Sequence, residues 1–507
     1  MFNKFISKTN ELKNRKKTSK IRYIFLIYFL IILFSSLILF FPWVKKVTPE
    51  NWWNYNNYID SLFTSVSAFS DTGLVTLETQ ATWNIFGQAV IATLIFVGGT
   101  GFFALKIFIL NYLFRKKFYN IDKELLLAER GDIKNQTSNL VISSLKFIIS
   151  ILIISGFILT FYFYLAIPTP PLGEEMNVIL PSSPQGDWSL SFRFGFFHAI
   201  SALNNAGFDI MGGKSLMPYY GNFWLQFIIV VLFIIGGIGY PIIYDINSWI
   251  KFKIKYRDER KYHWSLITKI SVTTYFVLSI FALAVIIPLE VFSKNPTSFW
   301  NHMIAGKYKY GGPLQKIWTV LFTVFSTRSA GFATIDLNSF SSSTLIIMTI
   351  LMFIGAAPAS TGGGIRTTTF AIIFVALASR ISGSKTTRMF RRKISSDKVV
   401  MASNVFIISI ILLMLGTIIL NTSVQNYSGN LNNNTNSLTM LFETSSAFGT
   451  AGLSLGITQD LNLGSKFILI FIMFIGQFGI SSTIIVWRDK ITRSNSYEYI
   501  EEDVLIG

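Results

Sequence analysis

Four short runs of small and polar residues recur along the chain. Each ends in Gly followed by Leu or Phe and stands ahead of a long apolar segment: Asp71-Thr72-Gly73-Leu74, Asn205-Ala206-Gly207-Phe208, Ser329-Ala330-Gly331-Phe332 and Thr450-Ala451-Gly452-Leu453. The glycines are 134, 124 and 121 residues apart. A repeat of this kind places four equivalent loops around one axis. Glycine exposes its carbonyl and adopts backbone angles closed to other residues, so four of them in a ring can replace the water around a dehydrated cation. That is the design of a selectivity filter.

The surroundings of the runs are those of a membrane protein. Of 507 residues, 51% are hydrophobic and 14% charged, with 48 Phe, a balance that excludes an ordinary soluble enzyme. A span needs about 20 apolar residues, and the first is legible from Tyr23 to Phe41. Eight Lys or Arg precede it in residues 1–22, so it reads as a retained span and not a cleaved leader. The net charge of +18 is not spread in the manner of a nucleic-acid binder. Residues 1–22, 115–134, 251–269, 380–398 and 488–493 hold 31 of the 44 Lys and Arg, which assigns them to the cytoplasmic side. In the opposite loops, which carry all four glycine runs, basic and acidic residues nearly balance. The absence of Cys removes disulfides and thiolate chemistry together.

The pattern predicts an all-α integral membrane fold of eight transmembrane helices: four span, pore-helix, span repeats around a pseudo-fourfold pore. First spans are expected near 23–42, 138–166, 264–291 and 399–420, second spans near 83–113, 221–249, 342–380 and 464–487. Segments 59–70, 191–204, 316–328 and 437–449 are too short to cross and read as re-entrant pore helices. The divisions are a basic cytoplasmic tail at 1–22, repeats at 23–114, 115–250, 251–380 and 381–487, and a cytoplasmic tail at 488–507. An even span count leaves both termini on the cytoplasmic side of the cell membrane. A second glycine mark follows each run: Gly98-Gly99, Gly236-Gly237, Gly355 and Gly476. Close helix packing accounts for these.

The third repeat breaks the pattern with Gly355-Ala356-Ala357-Pro358-Ala359-Ser360-Thr361-Gly362-Gly363-Gly364-Ile365-Arg366-Thr367-Thr368-Thr369 inside its second span. Pro358 lacks a donor, three successive glycines favour the unfolded backbone, and the hydroxyls compete for backbone bonds, so a regular helix cannot continue. A polar loop at membrane depth lines a conduction path, which makes residues 355–369 a candidate gate; a passive kink is the alternative. Arg366 there either repels cations in the closed state or pairs with an acid.

With these features in view, roughly residues 20–490 resemble the Trk/Ktr/HKT superfamily of potassium transporters, closest to the Ktr-type membrane subunit. The most specific pieces are Ser201-Ala202-Leu203-Asn204-Asn205-Ala206-Gly207-Phe208-Asp209, Ser326-Thr327-Arg328-Ser329-Ala330-Gly331-Phe332 and the 358–369 loop. The resemblance implies K+ uptake through a pore within each subunit. Its filter would be formed by Thr72, Gly73, Asn205, Ala206, Gly207, Ser329, Ala330, Gly331, Thr450, Ala451 and Gly452, and its gate would include Pro358, Ser360, Thr361, Gly362, Gly363, Gly364 and Arg366. It also implies a homodimer and a cytosolic nucleotide-binding regulatory ring. No cofactor is expected on the chain itself, with K+ as the transported ion, Na+ as a candidate activator, and any nucleotide bound by the regulatory partner. Gly73, where relatives with Ser tend toward Na+, favours K+. Two positions depart from the family pattern. Gly476-Gln477-Phe478-Gly479 lacks the usual basic residue, and Asp71 puts a carboxylate at an often apolar place. A Na+-conducting or non-conducting membrane subunit is the other reading of the same features.

The remaining polar residues fit that picture. His198, His263 and His302 are dispersed and lack metal-ligand spacing. Asp60 and Glu443 fall on pore-helix segments and either fix the loops or face water. Asp209 and Asp336, beyond their glycines, either gather cations at the mouth or are ordinary solvated loop residues. The basic stretches 251–261 and 380–398 suit anionic lipid heads or a docked regulatory ring. No phosphate-binding loop and no clustered acid, base or metal set points to an enzyme.

Overall fold

The computed structural model describes residues 2–47, 53–110, 137–256, 261–384, 386–427 and 436–480, together with Thr483. The basic stretch 115–134, the C-terminal tail 488–507 and the ends of the second spans expected at 83–113 and 464–487 lie outside the described residues.

Each quarter of the chain folds into the same three pieces. A long helix comes first: α1 (Phe2–Phe40), then, after the elements between, α5 (Thr137–Leu165), α9 (Leu266–Val291) and α13 (Ser396–Tyr427). A shorter helix follows it: α2 (Tyr55–Phe69), α6 (Trp188–Leu203), α10 (Pro313–Ser326) and α14 (Ser437–Gly449). These match the expected re-entrant segments to within a few residues. Local chemistry starts them: the Asn54 side chain accepts from the Asn56 amide, Asp187 accepts from Ser189 and Leu190, and α10 opens on Pro313.

The third piece shows the break expected at 355–369 in the third quarter and departs from a continuous span in the other three. The second spans are not continuous helices but pairs: α3 (Ile85–Thr100) with α4 (Phe102–Phe108), α7 (Phe223–Gly237) with α8 (Tyr240–Tyr256), and α11 (Ser342–Phe353) with α12 (Thr367–Ile381). The last, α15 (Leu463–Phe478), stops at Gly479. The first two pairs bend by 89° and 102°. The cause is a glycine three residues beyond the second glycine mark. Gly101, Gly239 and Gly479 have φ of +86°, +81° and +79°, angles that a helix cannot contain and that other residues rarely adopt. Among the described residues, four helices are long and apolar enough to cross a membrane, or up to six if each bent pair is one span. Beyond the expected all-α architecture are two two-residue hairpins, Met303–Ile304 with Lys307–Tyr308 and Arg388–Met389 with Arg392–Lys393.

The pieces interlock in a cycle. Each long helix packs on the short helix of its own quarter, and each broken helix packs on the short helix of the next: α3 on α6, α7 on α10, α11 on α14, and α15 back on α2. The closing contact carries an ion pair, with Lys466 Nζ on α15 2.6 Å from Asp60 Oδ1 on α2, both side chains about nine-tenths buried. Breaking a buried pair strands a charge and costs roughly 3–5 kcal/mol. Lys466→Met is therefore expected to lower the thermal unfolding temperature in detergent markedly, and adding Asp60→Asn to recover most of the loss. Equal melting of wild type and single variant would show that the pair does not hold the cycle closed.

Candidate functional site

The four glycine runs meet at the centre of this cycle, each following the C-terminal end of a short helix. A Cβ on Gly73 would overlap the Ala206 carbonyl oxygen, and one on Gly452 would overlap that of Thr72. A Cβ on Gly207 would stand 2.7 Å from Gly331 Cα, and one on Gly331 2.5 Å from the Ala451 oxygen. First run touches second, second touches third, third touches fourth, and fourth touches first. All four glycines have positive φ, between +67° and +89°, so both conformation and space disfavour a side chain there.

The residue two places before each glycine is also left-handed: Asp71 at φ +51°, Asn205 at +59°, Ser329 at +69° and Thr450 at +46°. Asn and Asp visit this region readily, whereas a β-branched Thr there is strained. Between the two left-handed residues the backbone is tied down. The amides of Thr72, Ala206 and Ala451 donate to the carbonyls of Ser67, Ser201 and Ser446, and that of Ala330 to Ser326. Ser201 and Ser326 also donate their hydroxyls to Phe208 O and Phe332 O at 2.7 and 2.6 Å. The serines stand six residues before the glycine in the first, second and fourth runs and five before it in the third, a mark legible only once the loop bonds are known. All of Thr72, Asn205, Ala206, Ser329, Ala330, Thr450 and Ala451 are buried.

The candidate gate lies against the residues two places before the ring glycines, meeting those of the second, third and fourth runs directly and that of the first through Gln477. Thr361 Oγ1 donates to Asn205 Oδ1 at 3.1 Å, and the Gly363 amide to Thr450 Oγ1 at 2.7 Å. A Cβ on Gly362 would meet the Ser329 side chain. Gln477 Nε2 bridges Thr361 O at 3.0 Å and Asp71 Oδ2 at 3.2 Å. The loop also spans two helix breaks. The amides of Ala357 and Thr361 donate to Gly237 O and Gly236 O, the Tyr240 amide donates to Ala359 O, and the Gly364 amide to Gly476 O. Arg366 donates to the carbonyls of Gly362 and Gln477. Pro358 and Ser360 sit at the bend, where a Cβ on Gly239 would stand 2.5 Å from Pro358 O.

Other sequence candidates separate into supports. Glu443 Oε1 accepts from Ser454 Oγ and the Leu455 amide, and its Oε2 accepts from Thr458 Oγ1, shaping the loop beyond the fourth glycine. Asp209 Oδ1 accepts from the Met211 and Gly213 amides and does the same beyond the second. Asp336 accepts from the Asn338 amide, starting a short helical turn. His198 is a core residue among Phe163, Phe194 and Phe197. Buried Arg328, which the sequence offers no role for, donates Nη2 to Gly355 O at 3.0 Å and stacks 5.1 Å from the Tyr275 ring, pinning the third run to the start of the gate.

Comparison with known proteins finds relatives among cation transporters. The family described as TrkH, cation transport protein, matches residues 46–499. An uncharacterized cation transporter of Mycoplasma genitalium is 33% identical over 96% of this chain and 96% of its own. Ktr system potassium uptake protein D of Bacillus subtilis is 34% identical over 95% of this chain and 96% of its own. The crystal structure of the potassium transporter TrkH from Vibrio parahaemolyticus superposes with a TM-score of 0.58 at 15% identity, covering 86% of this chain and 79% of that one.

Proposed function

The chain belongs to the TrkH family of cation transport proteins, and on that premise we propose that it is a K+ uptake pore. Its filter is the ring of Gly73, Gly207, Gly331 and Gly452 with the residues before them, and its gate is the loop from Pro358 to Arg366. The cyclic contact of the four runs carries this reading: loops more than 120 residues apart converge on one axis with the same backbone conformation. Electrostatics supports it, because the short helices end at Phe69, Leu203, Ser326 and Gly449, just before the ring. Four helix C-termini directed at one point favour a cation there without a fixed charge. Residues 355–369, bonded to the second and fourth runs and to Arg328 beside the third, and linked to the first through Gln477, represent the closed position of the gate.

The full proposed arrangement is a multi-pass protein of the cell membrane with eight spans, counting each broken helix as one, and with both termini cytoplasmic. It works as a homodimer with a cytosolic nucleotide-binding regulatory ring, and Na+ acts as stimulator, not cargo. A Na+-conducting pore is the second reading, favoured by one observation: the Asp71 carboxylate beside the first run raises the field strength felt by the ion. Uptake of Rb+ into proteoliposomes of the full chain, with competing Na+ outside, separates the two. Rb+ uptake insensitive to a Na+ excess supports K+; suppression by Na+, or Na+ uptake in its place, supports the alternative; no flux in inserted protein counts against a self-sufficient pore.

The outer mouth yields a pH dependence. Burial pushes the Asp209 carboxyl above the ordinary carboxylate range, opposed by the amides it accepts and reinforced by the Glu78 charge. A raised pKa means that the proton is taken up earlier as pH falls, removing a negative charge and weakening the bonds that shape the loop. Uptake is therefore expected to decline on external acidification before ordinary carboxylates titrate, and Asp209→Asn to flatten that limb. A variant with the wild-type pH profile would exonerate Asp209.

A further inference from the structure

Helix α8 runs from the gate to the edge of the membrane. At its start, Gly239 has φ +81° and packs on Pro358, and the Tyr240 amide donates to Ala359 O at 3.1 Å. The same residue is held from two other sides: Ser144 Oγ donates to Tyr240 O at 3.1 Å, and Tyr240 OH donates to Thr100 O at 2.6 Å. From there α8 is one unbroken helix of 17 residues, a rigid connection between the gate and whatever holds its far end.

Connectivity fixes where that end lies. Trp264 stands two residues before α9, a helix long and apolar enough to cross a bilayer, and the Trp249 ring is 5.9 Å from the Trp264 ring. The last two turns of α8 therefore sit at the level where α9 enters the membrane. Asp245 fastens this corner by accepting from the Ser265 amide and Thr268 Oγ1. Tyr262 lies 5.1 Å from Trp264 and 5.5 Å from Phe252, extending an aromatic cluster of the kind that gathers at headgroup level. Lys251, Lys253 and Lys255 on the same turns are exposed, with Lys253 Nζ 5.7 Å from the Trp249 ring centre. Interleaved with them, Ile250 is 40% and Ile254 74% exposed. Two exposed isoleucines among three lysines, beside an aromatic cluster, form a mixed apolar and cationic face. Acyl boundary and anionic headgroup together satisfy both residue types.

We propose that anionic lipid headgroups dock on the lysine and aromatic end of α8 and hold the gate loop in the position described. The docking half stands on α8 alone; the gating half rests on the pore reading. A ligand that binds one pose of a rigid element better shifts the population toward that pose, so anionic lipid slows uptake.

The test uses the full chain in phosphatidylcholine vesicles with and without phosphatidylglycerol, comparing wild type with the variant Lys251→Gln, Lys253→Gln, Lys255→Gln. Native mass spectrometry counts phosphatidylglycerol retained per chain, and Rb+ uptake reports the gate. Wild type is expected to retain more phosphatidylglycerol than the variant and to take up Rb+ about threefold more slowly in the mixed vesicles, with the variant equally fast in both. Equal retention by the two proteins overturns the docking surface and leaves a soluble cytosolic protein as its occupant. Reduced retention with an undiminished lipid effect on uptake overturns the coupling. No uptake by either protein in any vesicle, with retention still lost in the variant, upholds the docking and counts against the pore.

Discussion

Replacing Gly331 by Ser is expected to cost the protein its discrimination between K+ and Na+, lowering the permeability ratio by about tenfold or more. Two effects act together. At φ +76° a side chain is strained by roughly 1–2 kcal/mol, and its Cβ would stand 2.5 Å from Ala451 O and 2.9 Å from Gly207 Cα. These neighbours are backbone of the adjacent runs, so relief requires the ring itself to widen. Whether selectivity comes from cavity size or from carbonyl field strength, both change when one quarter is pushed outward. Gly456→Ser is the matched control. Gly456 also has positive φ, at +92°, but has nothing within 4 Å of its missing Cβ, so it tests backbone strain without the clash. Reversal potentials or Rb+/Na+ flux ratios for the two variants decide the matter. Loss of selectivity in Gly331→Ser with selectivity intact in Gly456→Ser is the expected result, and an unchanged ratio in Gly331→Ser would remove the ring from the filter role.

The ring was legible in the sequence because its demand is local. Positive φ together with the backbone of the next run against the missing Cβ favours glycine, so the residue type itself records the geometry, four times over. The short helices were legible for a similar reason, being apolar runs too brief to cross a bilayer between longer ones. The breaks in the second spans were not anticipated outside the third repeat. Gly101, Gly239 and Gly479 each follow an earlier glycine by two or three residues, and within an apolar segment such a pair looks like the small-residue packing face that Gly98, Gly236 and Gly476 do provide against Phe69, Leu203 and Phe448. One residue type served two purposes, and only backbone angles tell them apart. Long-range pairing was also beyond reach. Asp71 and Gln477, 406 residues apart, stood out separately as departures from the family pattern, yet they are hydrogen-bonded to each other. An acid on the first run and an amide in place of a base on the last helix form one paired change, and a single sequence carries no sign of the pairing.

That pair leads to the second large effect, at the gate. Among the bonds that hold residues 359–364 are Tyr240 to Ala359, Thr361 to Gly236 and Asn205, Gln477 to Thr361, Arg366 to Gly362, Ala356 to Gly363, Gly363 to Thr450 and Gly364 to Gly476. For the loop to move aside these must break together. At roughly 0.5–1.5 kcal/mol net for each bond, the observed position is favoured by a few kcal/mol, enough, on the gate reading, to keep an open fraction small. Gln477→Ala removes one bond and releases Asp71 from the loop, and is expected to raise Rb+ uptake about two- to tenfold. Deleting residues 359–364 removes all of them, and should raise uptake by about tenfold or more while leaving the ring contacts of Gly73, Gly207, Gly331 and Gly452 in place. The graded pair matters because a misfolded deletion would lose flux for an unrelated reason, whereas Gln477→Ala changes one partly exposed side chain. Faster uptake in both, with K+ over Na+ preference kept, is the signature of a gate separate from the filter. Unchanged uptake in a correctly inserted Gln477→Ala protein, together with unchanged or lost uptake in an inserted deletion, would make the loop a structural plug and return the gate to the passive-kink reading.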